Sequence, residues 1–432
     1  MSKKLSRRQF LKALGAAGAG LMTTGLWGKS LPRVIAQAWN DHLYLPLVSR
    51  GGTIPSSTRT STPTSTITPT ATITPPATDT TVPGPSPTPT ITRTPGVGSR
   101  VVHVHNPDAT SWAGSTDYWN YVDQDVVNTM VDQGMMAMTG KLSVADAWKS
   151  LLPYYQSGEG IAVKVNFNNK NTGCDEINGK IDAIIHPVNA IMRGLKQIGV
   201  RESDLWVYDA TKPLPYHFTD ACIYEDIQFF DLWCHNKARY SSDDPNAVIS
   251  FQVPPGIPLP DQQKVTDVLV DASYVINVPI MKAHACVGVT LAFKNHFGSI
   301  QKPLDMHKYT CNGRDYSNPD YSPLVDIYRN PNIVGKTILT IGDAIFANWM
   351  NNVSEPKPWT TFNNDVPNSL FFSTDPVAID CVMCDYLHAE LAVPDYVNDY
   401  LQLASSVGLG TFERGDPWGS GYTQINYSRI DL

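Results

Sequence analysis

Ile161-Ala162-Val163-Lys164-Val165-Asn166-Phe167, then Pro187-Val188 with Ile191, Met192, Leu195, Ile198 and Gly199, then Leu205-Trp206-Val207-Tyr208-Asp209, follow one another in that order. The first run alternates Ile161, Val163, Val165 and Phe167 on one side with Lys164 and Asn166 on the other, the period of a strand. The middle pattern repeats at helical spacing. Pro187 suits a first turn, where its missing N–H costs nothing, and Gly199 can close the last. A third short apolar run ends at Asp209. Strand, helix of about 12 residues and strand make a βαβ unit, which predicts a parallel sheet with a right-handed crossover.

Working outward, other short apolar runs end on a polar residue in the same way. Val101–His105 stops at Asn106, Tyr274-Val275-Ile276 at Asn277, and Ile338–Gly342 at Asp343. The expected fold class is α/β, a mainly parallel sheet flanked by helices. Ligands of such sheets gather at the carboxyl ends of the strands. Asn106, Asn166, Asn277, Asp209 and Asp343 are therefore candidates for a shared site, although each can equally be a turn former or helix cap.

The densest chemistry lies in Asn277-Val278-Pro279-Ile280-Met281-Lys282-Ala283-His284 and Thr290-Leu291-Ala292-Phe293-Lys294-Asn295-His296-Phe297-Gly298, with His307 beyond. Thr290 can cap a short helix that Gly298 closes. Two lysines and three histidines in an otherwise acidic body would draw an anionic ligand such as a carboxylate or phosphate. The alternative is that the lysines pair with carboxylates and the histidines lie on the surface. His103 and His105 share a strand face and could offer two metal ligands, though a half-buried pair is the commoner outcome. Asp375-Pro376 reads as a helix cap followed by a first-turn proline. The Cys381-x-x-Cys384 after it lies too far into the helix to gain from the N-terminal dipole, so buried thiols are expected there. Dinucleotide, P-loop, nucleophile-elbow and zinc-helix motifs are absent.

These residues resemble a known family. Lys164-Val165-Asn166, Asn277 through His284, Lys294-Asn295-His296-Phe297-Gly298, Gly342-Asp343 and Asp375-Pro376-Val377-Ala378-Ile379-Asp380 occur in the order seen in the uncharacterised family catalogued as domain of unknown function 362. The resemblance covers about residues 160–390. It implies an α/β core and a site near Lys164, Asn166, Lys282, His284, Lys294, Asn295, Asp343 and Asp375, and no established reaction. Many relatives carry a ferredoxin module. This chain lacks its cysteine run, so the iron–sulfur label is not carried over.

The N-terminus reads as an address. Ser6-Arg7-Arg8-Gln9-Phe10-Leu11-Lys12 matches the twin-arginine export consensus, and Ala36-Gln37-Ala38 offers a cleavage site, so residues 1–38 are expected to be a signal peptide. The apolar run behind the arginines is about 15 residues, short of the roughly 20 that span a bilayer, and no span is expected in the mature chain. A short apolar segment, 39–52, precedes a linker over 53–99. In 53–96, 17 Thr, 10 Pro and 5 Ser leave nothing to bury, so disorder is expected. At about 3.1 Å per residue this stalk reaches on the order of 130 Å. The body, 100–432, holds 23 Lys and Arg against 38 Asp and Glu, a net of −15. A charge of that sign argues against a nucleic-acid partner.

The expected partners are the twin-arginine export machinery and a small anionic ligand. The expected location is outside the cytoplasm, on the cell surface or secreted. One functional reading is an exported enzyme: Lys282 and Lys294 hold the anion, His284 transfers protons, and Asp209 with Asp343 orients the base or binds a divalent metal. A second is a non-catalytic stalked binding or scaffold protein. A redox protein with a cofactor loaded before export is a weaker third.

Overall fold

The computed structural model describes residues 99–169, 173–351, 354–391 and 393–432. Arg7, Arg8, Ala36, Ala38 and the Thr/Pro-rich linker lie outside the described residues. Among those described, eleven strands join in one sheet. They are β1 (Arg100–His105), β2 (Ile161–Lys164), β3 (Leu205–Tyr208), β4 (Gln228–Asp231), β5 (Asn236–Lys237), β6 (Tyr274–Asn277), β7 (Ile280–His284), β8 (Gly288–Thr290), β9 (Thr337–Asn348), β10 (Ser369–Ser373) and β11 (Asn426–Asp431). Their order is β11-β1-β10-β9-β6-β2-β3-β4-β5, with β7 and β8 branching from the end of β9. From β9 to β5 every neighbouring pair is parallel, as the βαβ pattern predicts. β10 breaks the pattern, running antiparallel to both β1 and β9.

Alternation along β2 sends Ile161 and Val163 to one face and Ala162 to the other, and each face has its own apolar core. Three helices cover the first face: α1 (Gln124–Thr139), α2 (Val144–Leu151) and α3 (Ile185–Gln197). Helix α3 is the one predicted from Pro187 and the spacing of Val188, Ile191, Met192 and Leu195, all buried. Gly199 just beyond it has φ +86°, the left-handed conformation that ends helices. The opposite face carries the one-turn helix α4 (Ala292–Asn295) and α5 (Pro376–Glu390). Helix α5 is buried from Pro376 to Leu387, with apolar residues on every side because it is packed on all sides.

Two local expectations change. Asp343 was expected at a strand end, but β9 runs on to Asn348 because its second half finds two further partners: Ile280 of β7 and Leu370 of β10 both pair with Asp343. Thr290 was expected to cap the helix before Gly298. It belongs instead to β8, opposite Lys282 in an antiparallel hairpin. The α4 N-terminus is capped from α5, where Asp380 accepts from Ala292 N at 2.7 Å and Phe293 N at 3.3 Å.

His103 spends both ring nitrogens inside the core. Nε2 meets Ser369 Oγ at 2.8 Å, and Nδ1 meets the hydroxyls of Tyr386 and Tyr427 at 2.9 and 3.1 Å. Cys381 and Cys384 are free and buried, and burial raises both thiols, Cys384 to about 12. Cys174–Cys234 and Cys286–Cys311 are disulfides. No helix among the described residues is long and apolar enough to cross a membrane.

Candidate functional site

Lys164 ends β2 on the Ala162 face and is fully buried. Its ammonium bonds the Val165 carbonyl, Asp209 Oδ2 at 3.1 Å and Asn295 Oδ1 at 3.3 Å. A buried lysine needs such partners, because an uncompensated ammonium in a low-dielectric interior costs several kcal/mol. Asp209, just past β3, has both oxygens engaged. Besides Lys164, Oδ2 accepts from Phe167 N at 3.1 Å, and Oδ1 accepts from Thr211 N at 3.1 Å and Thr211 Oγ1 at 3.0 Å.

Asn295 stitches the strand ends together. Its Oδ1 also accepts from Asn166 Nδ2 at 3.0 Å, and its Nδ2 donates to Asn277 Oδ1 at 2.7 Å and to the Lys164 carbonyl at 3.3 Å. Three of the five polar strand ends, Asn166, Asp209 and Asn277, are thus brought into one network. Asn106 is elsewhere, accepting from Asp108 N in its own turn.

Gly298 explains the end of the Lys294–Gly298 stretch. A Cβ there would stand 2.5 Å from Lys164 Nζ and 2.8 Å from Asp209 Oδ2. Only a glycine lets this backbone lie against the ion pair, and its carbonyl accepts from Ala210 N at 2.8 Å.

Beside this network opens a cavity of about 520 Å³, lined by Asn166, Asp209, Lys212, Tyr240, His284, Thr290, Lys294, Phe297 and His307, among others. The Lys294 amine meets His307 Nε2 at 3.2 Å and lies 3.3 Å from the centroid of the Phe297 ring. Burial holds it well below the usual lysine range, and the nearby Lys282 charge adds to the effect. His284 accepts at Nδ1 from Cys286 N (3.1 Å) and Val287 N (3.2 Å), so its ring proton is on Nε2. Burial first, then the neighbouring Lys294 and His307, push His284 down to about 2. His307 falls to about 3 through burial and then Lys294. Both rings are neutral at ordinary pH.

Lys282 and Asp343 sit behind this surface rather than on it. Lys282 is fully buried, donates to the Ile181 carbonyl at 3.4 Å, and is lowered by burial to about 8 against the pull of Asp182 and Asp209. Asp343 is raised by burial to about 7, opposed by a hydrogen bond from Ile345 N (3.1 Å) and by Lys282. Asp375 belongs to the start of α5, where it accepts from Val377 N and Ala378 N at 2.9 Å, and from Ser99 and Thr411. Its position is that of the helix cap its sequence suggests.

Sequence reasoning missed two features. Thr290 and Asn166 line the cavity, and their Oγ1 and Oδ1 atoms are buried and find no hydrogen-bond partner among the described residues. The pairing of His307 with Lys294 was also missed, because what signals it is a disulfide whose pairing the sequence alone does not give. Cys286 follows His284 by two residues and Cys311 follows His307 by four, and their disulfide, with Cα atoms 4.6 Å apart, draws the two histidines to one cavity. Among the described residues no group of three or more His, Cys, Asp or Glu is arranged to hold a metal ion.

Residues 161–385 match the family described as "Domain of unknown function (DUF362)". The chain belongs to this family. The DUF362 match spans β2 through most of α5 and so contains the whole Lys164–Asp209–Asn295 network and the cavity beside it. Residues 4–24 match a twin-arginine translocation pathway signal sequence, which supports export across a membrane by that machinery. No curated protein matches the chain. Among solved structures, the lactate racemase apoprotein from Thermoanaerobacterium thermosaccharolyticum is similar at 9% identity and TM-score 0.32, over 61% of this chain and 54% of that one. A Thermotoga maritima protein is similar at 10% identity and TM-score 0.30, over 66% and 59%. This DUF362 chain therefore spans little more than half of either structure, and neither likeness carries an argument about activity.

Proposed function

We propose that this is an exported enzyme whose cavity binds a small anionic ligand at the carboxyl ends of β2 and β3. One observation carries the reading: Asn166 and Thr290, two residues of the cavity lining, each keep a buried side-chain oxygen with no hydrogen-bond partner among the described residues. Each such atom costs about 1–3 kcal/mol of stability, and buried polar groups are nearly always satisfied. Two on one wall, beside the Lys294 amine, are what a ligand carrying both a charge and a hydrogen-bonding group would satisfy.

In this reading Lys294 touches the anion, while Lys282 contributes positive potential from behind the wall. His284, with its proton on Nε2, is a donor to the ligand, and an arriving anion would raise its proton affinity by offsetting the Lys282 charge. Asp209 and Asn295 are positioning residues, holding Lys164 and Asn166 in place. Asp343 tunes Lys282. The body, residues 100–432, would work outside the cytoplasm, on the cell surface or free, carried on the Thr/Pro-rich stalk of 53–99.

A melting-temperature screen of the exported protein against small carboxylates and phosphates tests this. At least one anion should raise the melting temperature of the unmodified protein, and Lys282→Ala and His284→Ala should each abolish most of that rise. If both variants keep every ligand-induced shift, the reading is wrong.

A further inference from the structure

The amine of Lys294 is placed unlike the other buried lysines near the site. Lys164 is tied to Asp209, and Lys282 is flanked by Asp182, Asp209 and Asp343. Among the described residues no carboxylate pairs with Lys294: it meets a neutral imidazole and an aromatic ring, and the charge that acts on it is the like charge of Lys282. The Phe297 face could favour an ammonium by about 2 kcal/mol or somewhat more when dry. Removing an ammonium from water costs several kcal/mol. Desolvation wins, and the amine is held with its lone pair available.

We infer that Lys294 is a nucleophile that forms an imine with a carbonyl-bearing anion in the cavity, with His307 carrying the protons. This rests on the anion-site reading and extends it to a substrate class, small aldehydes or ketones bearing a carboxylate or phosphate. The geometry supports each part. Lys294 is 8% exposed and lines a cavity of about 520 Å³, large enough for a small metabolite and its leaving water. His307 faces Nζ through Nε2 at 3.2 Å, and with a neutral amine donating an N–H this nitrogen is the acceptor. Thr290 lines the same cavity with its Oγ1 unpartnered among the described residues, and a turn of that side chain about χ1 would let the hydroxyl donate to the carbonyl oxygen.

The step balances without an oxidant or reductant. The Nζ lone pair attacks the carbonyl carbon, a C–N bond forms, and the carbonyl π pair moves to oxygen. That oxygen receives a proton lost from nitrogen and relayed by His307. The carbinolamine then loses its C–O bond as nitrogen gives up its second proton, again through His307, to the departing hydroxyl. The products are water and a C=N bond to Lys294.

Reductive trapping tests this on the exported protein. It is incubated with cyanoborohydride and either glyoxylate, a carbonyl carboxylate, or glycolaldehyde phosphate, a carbonyl phosphate; intact mass and peptide mapping follow, with the melting temperature recorded for each probe without reductant. The expected result is a single adduct on the Lys294 peptide, formed at least tenfold faster than on any other lysine, and absent from Lys294→Arg. Whichever probe labels identifies the anionic group. Mapping on the unmodified protein stands even if the variant folds poorly. A probe that raises the melting temperature but leaves no adduct on Lys294, or one scattered over surface lysines, overturns the imine and leaves the anion site standing. No shift and no adduct with either probe, or with acetate and inorganic phosphate, overturns both.

Discussion

Gly298 is the residue where sequence and site chemistry meet most directly. Its missing side chain admits the Lys164–Asp209 ion pair, whose nearest atom would lie 2.5 Å from a Cβ. Both atoms it would strike are hydrogen-bonded and buried, so neither can swing away. Gly298→Ala is expected to cost about 1–3 kcal/mol by overpacking, read as a lower urea midpoint, and to weaken any anion-induced rise in melting temperature. Asp343 offers a pH signature. Burial raises its carboxyl from 3.8 to about 7. Between those values the folded state keeps a proton that the unfolded chain has released, so this group's contribution to stability falls as pH rises through that window. Asp343→Asn is neutral throughout. The stability of the variant relative to the unmodified protein should therefore increase from pH 4 to pH 7, by up to a few kcal/mol, and level off above. A flat difference across that range would show that Asp343 is ionised in the fold. The alternation that buries Lys164 and Asn166 on the face opposite Val163 was legible, since a strand has period two. That Asn166 Oδ1 would be left without a partner was not, because it depends on what Asn295 brings from far along the chain.

At the scale of elements, α4 shows why a motif can be read while its setting is not. One helical turn is unstable alone, since nucleation is unfavourable for so short a segment. Here it is held by Asp380 of α5, remote in sequence, and by the β7–β8 hairpin that delivers Lys282 and His284. Read linearly, Thr290 looks like the local cap, but strand pairing claims it first. The Cys286–Cys311 disulfide ties the end of that hairpin to the turn carrying His307. Cys311→Ser is expected to lower stability by about 3 kcal/mol for a closed loop of this length, visible as a lower melting temperature in the non-reduced protein. It should also weaken anion binding more than Cys174→Ser, whose disulfide touches neither histidine. Equal effects on binding would mean that His284 and His307 are held by packing alone.

At the scale of the whole molecule, the −15 body and the basic N-terminus are parts with different tasks. Arg7→Lys together with Arg8→Lys should keep the protein in the cytoplasm with an unchanged fold, detected by fractionation and immunoblot, because the export machinery reads the paired guanidiniums and lysines do not reproduce them. Normal export of that double variant would remove the twin-arginine assignment. The sequence by itself determined the address, the parallel α/β core and the membership of Lys164, Lys282 and Lys294 in a single family pattern, because these are written in local spacing: a consensus, a period of two and a period of 3.6. Only the tertiary structure decided which lysines are set beside carboxylates and which is not. Asp209 reaches Lys164 from the end of the neighbouring strand, Asp343 approaches Lys282 because β9 outruns its predicted end, and Lys294 is left with His307 and Phe297. Charge pairing between buried groups depends on distances of a few ångströms between segments far apart in the chain, and no local pattern encodes those.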